Sequence, residues 1–234
     1  MVRILVSSDQ SLCVEFGNAI SEEISNQVRA YTLAAEQAAI EGVVEYVPTY
    51  RSVTVHYRPE VIGYAALKDR LMALTEKMGE MELPPAQTID IPVLYGGEYG
   101  PDLAHVAEVN NLTEQEVVDI HTKPEYIIYM LGFTPGFCYL GGMDPRISTP
   151  RLKVPRVKIP AGSVGIAGSQ TGIYPVDSPG GWQLIGRTPL RMYDPNRERP
   201  ILLDAGMHLR YHPIDQAEFD RIHTEQYGQG GAEK

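Results

Sequence analysis

The sequence predicts an α+β protein in two parts, a small α/β unit followed by a β-rich barrel or sandwich. Three observations carry this. Turn-forming residues are spread unevenly: of 22 glycines and 18 prolines, only four of each precede residue 89, whereas residues 132–189 hold eleven glycines and eight prolines. Glycine and proline punctuate chains at turns and bends, so the two parts must be built differently. The first eighty residues alternate β-type runs with two amphipathic helical stretches, while later β-type runs are short and close together. Finally, 234 residues fit one large domain or two small ones at roughly 100–200 residues each.

The elements follow in order. Residues 3–7 and 12–16 read as short strands separated by the turn-like Ser8, Asp9 and Gln10. A helix follows, with Ser21 as N-cap and with Glu22 and Glu23 where the positive end of the helix dipole favours anions. Its apolar residues Ile24, Val28, Tyr31, Ala35 and Ala38 recur every three to four positions and form one buried face. Gly42 suits the left-handed position that ends such a helix. Residues 43–47 and 52–57 are the next strands; in the second, Val53, Val55 and Tyr57 alternate with polar residues. A second helix carries Tyr64, Leu67, Leu71, Leu74 and Met78 on one stripe and stops at Gly79. Two helices on one side of a small antiparallel sheet is the natural assembly.

Pro84 and Pro85 mark a linker. Beyond it, residues 89–94 read as a strand and 101–109 as a short helix. Thr113 and Glu116 make a capping box at the start of another. Residues 126–131 are apolar, and β-type runs at 164–167, 172–176, 182–186, 201–203 and 207–211 suggest a compact barrel or sandwich. Residues 214–224 close it with a helix, and the tail from 226 should fray.

Composition excludes several classes. A formal charge of −10 argues against nucleic acid as partner. No run approaches the roughly 18 apolar residues of a membrane helix, and the opening residues turn polar at Ser7, too soon for a signal peptide. Two cysteines, Cys13 and Cys138, are too few for a disulfide framework. The expectation is a cytoplasmic protein with no membrane association.

Most signatures of catalysis are missing. There is no phosphate-binding loop of the G-x-x-x-x-G-K type, and the glycine-rich residues 161–172 lead into Pro175 and Pro179 rather than a helix. That stretch reads as a β-turn-β element. The six histidines show no metal-ligand spacing, so no metal is expected. Cys138 sits between bulky neighbours with no charged residue beside it to lower its pKa, and reads as an inert thiol.

Two positive signals stand out. Arg146, Arg151, Lys153, Arg156 and Lys158 place five of the twenty basic residues within thirteen positions, and residues 145–160 contain no acid. Either this is a solvated basic face, or it is a site for a small carboxylate or an acidic protein surface, which arginine's planar fork suits. The segments 132–137 and 178–189 set aromatics, Gln and Arg beside glycines, where the main chain can approach a ligand closely.

The blocks GFTPGFCYLGGMDPR (132–146) and VPRVKIPAGSVGIAGSQTGIYPVDSPGGWQLIGRTPL (154–190), with Tyr193-Asp194-Pro195, resemble a bacterial family. Its members are variously called the B-type component of 5-oxoprolinase (PxpB), KipI or allophanate hydrolase subunit 1, and the resemblance runs over nearly the whole chain. It implies a ferredoxin-like α/β domain followed by a cyclophilin-like β-barrel, which on the two-part division of the chain places the first at 1–82 and the second at 89–225, with a linker at 83–88 and a disordered tail at 226–234. It further implies one of three roles. The first is a component of an ATP-dependent 5-oxoprolinase that opens the pyroglutamate ring to L-glutamate. ATP would then be bound in the assembled complex rather than by this chain alone, and the partners would be a companion cyclophilin-like subunit and an unrelated third subunit. The second is an inhibitor of a sporulation histidine kinase. The third is a carboxyltransferase-type half of a urea-degrading biotin enzyme.

For the first role, ring opening requires a group to hold the substrate carboxylate and donors for the charge growing on the amide oxygen. Arg156 and Arg187 are the candidates for anion binding, with Gln170 and Tyr174 hydrogen-bonding the amide. Backbone N–H groups at Gly180 and Gly181 serve as oxyanion donors, and Phe137 lines the substrate site. The catalytic set is thus Gln170, Tyr174 and Arg187. The same arginines on an exposed barrel groove would equally serve a binding module without catalysis.

Overall fold

The computed structural model describes residues 2–228. The chain divides into two compact units, with the division between Pro85 and Ala86.

In the first unit, β1 (Arg3–Ser8) and β2 (Ser11–Glu15) form a hairpin followed by α1 (Glu22–Ala38). Next come β3 (Val43–Pro48), β4 (Ser52–Tyr57) and α2 (Tyr64–Lys77). The sheet order is β1-β2-β4-β3, antiparallel throughout. Alternation sends Leu12, Val14, Val53, Val55 and Tyr57 into one core with Val28, Tyr31, Ala35, Leu67, Leu71 and Leu74 of the two helices. Tyr31 is fully buried and its hydroxyl donates to the carbonyl of Leu71 at 3.0 Å, tying α1 to α2.

Ser21 caps α1 by accepting from Ile24 N–H at 3.2 Å. The C-terminus differs from the expectation at Gly42. Ala39 takes the left-handed conformation (φ 42°), and its N–H returns to the carbonyl of Glu36, ending the helix three residues earlier. Gly42 (φ 92°) instead turns the chain into β3, where a Cβ would meet Ile62 at 2.7 Å. Beyond Lys77 the second helix tightens into a 3₁₀ turn, Met78–Glu80.

The second unit opens with β5 (Thr88–Tyr95); Thr88, expected as linker, already pairs with His208. Then come α3 (Leu103–Val109) and α4 (Glu114–Thr122), the latter opened by the expected capping box of Thr113 and Glu116. The remaining strands are β6 (Tyr126–Leu131), β7 (Cys138–Gly141), β8 (Arg156–Ile159), β9 (Ser163–Ala167), β10 (Gln170–Ile173), β11 (Ser178–Gly180), β12 (Gln183–Arg187) and β13 (His208–Pro213). Seven form a sheet of order β10-β9-β12-β5-β13-β6-β7, whose outer strands β10 and β7 lie against one another. The result is a nearly closed barrel, parallel only where β13 meets β5. β8 and β11 make a separate two-stranded ribbon.

Three strand expectations change. The run at 172–176 stops at Ile173, before Pro175; 201–203 shrinks to a single bridge from Ile201 to Tyr193; and β7, β8 and β11 have no counterpart among the expected strands. The glycine-rich stretch is the β9–β10 hairpin, turning at Gly168 (φ 60°). The last helix, α5 (Gln216–Tyr227), also runs further than expected, so Gln226 and Tyr227 are helical rather than frayed. Phe219, His223 and Tyr227 stack along it, and Arg197 donates to Gln226 at 3.0 Å. The remainder of the expected tail, 229–234, lies outside the described residues. No described helix is long and apolar enough to cross a membrane.

A polar cluster sits inside the barrel. His121 is fully buried, with Nδ1 bonded to the Tyr95 hydroxyl and Nε2 to Thr171 Oγ1, both at 2.8 Å, and its ring stacked 4.4 Å from that of Tyr211. Burial pushes the imidazole down to about 3, so it is neutral at physiological pH.

Candidate functional site

A cavity of about 340 Å³ opens beside the β8–β11 ribbon. Its walls are aromatic: Phe133, Phe137, Tyr139, Tyr174 and Trp182. Phe137 meets Trp182 edge-on at 5.7 Å and Tyr174 at 6.0 Å, and Tyr174 meets Trp182 at 6.0 Å. Such edge-to-face contacts hold the rings at fixed angles. Beneath them is a small core containing Ile159, Ala167 and Leu184. Glycine makes the packing possible, since a Cβ on Gly180 would stand 2.3 Å from the Tyr174 hydroxyl.

The polar part of the lining is Arg151, Gln170 and the main chain of Pro179, Gly180 and Gly181. Arg151 belongs to the loop before β8, and the backbone on either side of it is pinned. The carbonyl of Pro150 accepts from the buried Gln183 side chain at 2.8 Å, and Leu152 N–H donates to the carbonyl of Gly181 at 2.7 Å. Burial raises the pKa of Tyr174, against a backbone hydrogen bond from Trp182 and the positive charges of Arg151 and Arg156. The phenol therefore stays protonated at neutral pH. Cys138 is buried, which pushes its thiol up to about 12 and keeps it from acting as a nucleophile.

The residues named from sequence divide by position. Phe137, Gln170, Tyr174, Gly180 and Gly181 all line the cavity. Arg156 and Arg187 do not. Arg156 donates to Asp102 Oδ1 at 2.7 Å and to the carbonyl of Trp182 at 3.2 Å, so its charge is answered within the chain. Arg187 donates through Nε to the carbonyl of Ala161 at 2.8 Å. The basic stretch is likewise not one anion site, because Arg146 pairs with Asp144 at 2.7 Å and Lys158 with Asp177 at 2.9 Å. Sequence reasoning places Arg151 in the basic stretch without singling it out. The missing signal is the pairing of its neighbours, which for Arg156 and Lys158 involves acids distant in sequence.

Taken as chemistry, the lining is equipped to bind and orient a ligand rather than to attack it. It offers flat apolar walls, one guanidinium, a side-chain amide and a glycine-rich main chain.

The same chain is similar to several known proteins. The B-type component of 5-oxoprolinase from Bacillus subtilis (strain 168) is 42% identical over 221 residues, covering 90% of this chain and 92% of that protein. Its counterpart of the same name in Escherichia coli O157:H7 is 46% identical over 191 residues, covering 81% of this chain and 87% of that protein. The crystal structure of TTHA0988 superimposes with a TM-score of 0.77 at 36% identity over 92% of this chain, which spans 40% of that one. The family model of the carboxyltransferase domain, subdomain C and D, matches residues 2–203. This chain, matched over most of its length and carrying the mixed α/β build with its seven-stranded barrel, belongs to that carboxyltransferase subdomain C and D family.

Proposed function

We propose that this chain is a component of a 5-oxoprolinase, acting in a multi-subunit complex that opens 5-oxo-L-proline to L-glutamate with hydrolysis of ATP. The observation that carries the reading is 42% identity, over 90% of the chain, to a protein named as the B-type component of 5-oxoprolinase. The cavity is consistent with it: a five-membered ring fits aromatic walls, and a carboxylate suits an arginine. The Gln170 amide and the Gly180–Gly181 main chain are the lining groups suited to a ring amide. In this reading ATP supplies the driving force for breaking an unactivated amide. The glycine-rich 161–172 stretch of this chain does not fit a nucleotide, because it forms a β-hairpin with no helix N-terminus behind it. In this reading ATP is bound in the assembled complex rather than by this chain alone, with a companion cyclophilin-like subunit and a third, unrelated one as partners.

We further propose that the first unit is a ferredoxin-like domain. Moving β1 from the front of the first unit to its end gives the β-α-β-β-α-β series of a ferredoxin-like domain, with the outer strand still beside β2. The second unit's nearly closed barrel supports the cyclophilin-like reading.

Reconstitution tests the function. The chain alone should hydrolyse no ATP, and addition of both partners should give ATP consumption that depends on 5-oxoproline. A silent three-part mixture removes the reading. Binding to a histidine kinase with loss of autophosphorylation would replace it.

A further inference from the structure

We propose that Arg151 is the anchor for the carboxylate of a small cyclic ligand whose ring lies against Phe133, Phe137 and Trp182. The identification of that ligand as 5-oxo-L-proline rests on the proposed function; the placement of the carboxylate does not.

Four observations lead here. Arg151 lines the cavity from an exposed position, and among the described residues no hydrogen bond or ion pair holds its guanidinium. Its basic neighbours are neutralised, Arg146 by Asp144, Arg156 by Asp102 and Lys158 by Asp177. The exposed Arg151 guanidinium exchanges only water for an incoming carboxylate, which displaces no internal partner.

The lining contains no Asp or Glu, and residues 145–160 contain none either. No carboxylate in the lining competes for the fork. The base of the side chain is also fixed, because Pro150 and Leu152 are hydrogen-bonded to Gln183 and Gly181 on either side of it. Binding then orders only the side chain, which lowers the entropy cost of gripping a ligand.

The ligand class follows from charge and shape. One free guanidinium matches one carboxylate in a two-point hydrogen bond. A phosphate dianion calls for a second cation, and Lys153 is not among the lining residues. The aromatic walls stand edge-on to one another and so present flat faces and edges to a ring. An acidic side chain from a protein partner would bring the carboxylate without filling those walls.

The test titrates the full chain with 5-oxo-L-proline, with 2-pyrrolidinone, which is the same ring without the carboxylate, and with inorganic phosphate. Wild type, Arg151→Gln and Arg151→Lys are compared, and thermal melting confirms that each is folded. The expected result is an affinity for 5-oxoproline about tenfold lower in Arg151→Gln, with 2-pyrrolidinone binding unchanged and Arg151→Lys intermediate. No saturable binding of 5-oxoproline to the wild-type chain overturns the proposal, as does equal binding by Arg151→Gln. Equal loss of both ligands, or preference for phosphate, overturns it too. Arg151-dependent binding in a chain whose reconstituted complex turns over nothing upholds this inference and removes the proposed function. Turnover of 5-oxoproline with a KM indifferent to Arg151 does the reverse.

Discussion

The carboxylate of Asp102 holds the guanidinium of Arg156 at 2.7 Å across 54 residues of sequence. Its second oxygen accepts Leu184 N–H at 2.7 Å, and its own N–H donates to the carbonyl of Leu184 at 2.9 Å. One side chain thereby joins the start of α3 to β12 and to the first residue of β8. Both partners are largely shielded from water, at 28% and 13% side-chain exposure, so removing either one leaves the other poorly solvated and without its counter-charge.

Removing that carboxylate should therefore destabilise the second unit. Asp102→Ala strands a guanidinium and a backbone N–H together, and the expected loss is about 2–4 kcal/mol. Urea denaturation of Asp102→Ala, Arg156→Ala and the double variant measures it. The double variant should cost clearly less than the two single losses added together. Additive losses would mean that the pair is not coupled.

The same pairing marks what sequence could and could not supply. In the first unit, the stripe of Val28, Tyr31 and Ala35 and that of Leu67, Leu71 and Leu74 repeat at helical spacing, so local pattern alone orients both helices. Helix ends are less legible, because Ala39 adopts its left-handed conformation without a glycine to announce it. The ribbon of β8 and β11 is invisible to pattern: four and three residues are too short for a period, and their partnership, Gly180 with Arg156, spans a long stretch of chain. The aromatics and glycines around the cavity adjoin one another in sequence and can be picked out. Arg151 and Arg156 look alike in sequence, and it is contacts distant in sequence, with Asp102 and the Trp182 carbonyl, that set Arg156 apart.

His121 gives the second unit a pH dependence of known sign. Its folded pKa, about 3, lies below the 6.5 of an exposed histidine. The unfolded chain consequently binds the proton more readily, and stability is lost as pH falls from about 6.5 toward 3. Between pH 7.5 and 5 the folding constant should drop roughly thirtyfold from this group alone. His121→Phe keeps a ring against Tyr211 but removes the titration. It should be less stable than wild type at pH 7.5, where Tyr95 and Thr171 lose a partner, and the gap should narrow toward pH 5. Parallel stability curves for the two proteins would show that His121 does not carry the effect.

Gly180 should tolerate no side chain. A Cβ there would sit 2.3 Å from the Tyr174 hydroxyl and 2.8 Å from Ile159 Cδ1, whereas on Gly181 the nearest atom would be 3.6 Å away. Gly180→Ala is expected to cost about 1–3 kcal/mol by overpacking, and Gly181→Ala less than about 1 kcal/mol. Trp182 is the chain's single tryptophan and stands in this wall, so its emission reports the displacement directly. An unshifted emission spectrum in Gly180→Ala would place the tolerance elsewhere.

Phe133 is placed against its own preferences in two ways. Its backbone lies in the left-handed region (φ 63°), and its side chain is 69% exposed, touching Phe137 edge-on at 5.5 Å. A bulky residue in that region costs about 1–2 kcal/mol, and an exposed ring recovers little of it by burial. Asparagine accepts the left-handed conformation more readily, so Phe133→Asn should relieve strain about as much as it loses in ring contact. Its stability should stay within about 1 kcal/mol of wild type. Affinity for 5-oxoproline should fall several-fold, because a ligand ring loses one wall. A large stability loss would make Phe133 a structural prop, and unchanged affinity would remove it from the cavity's function.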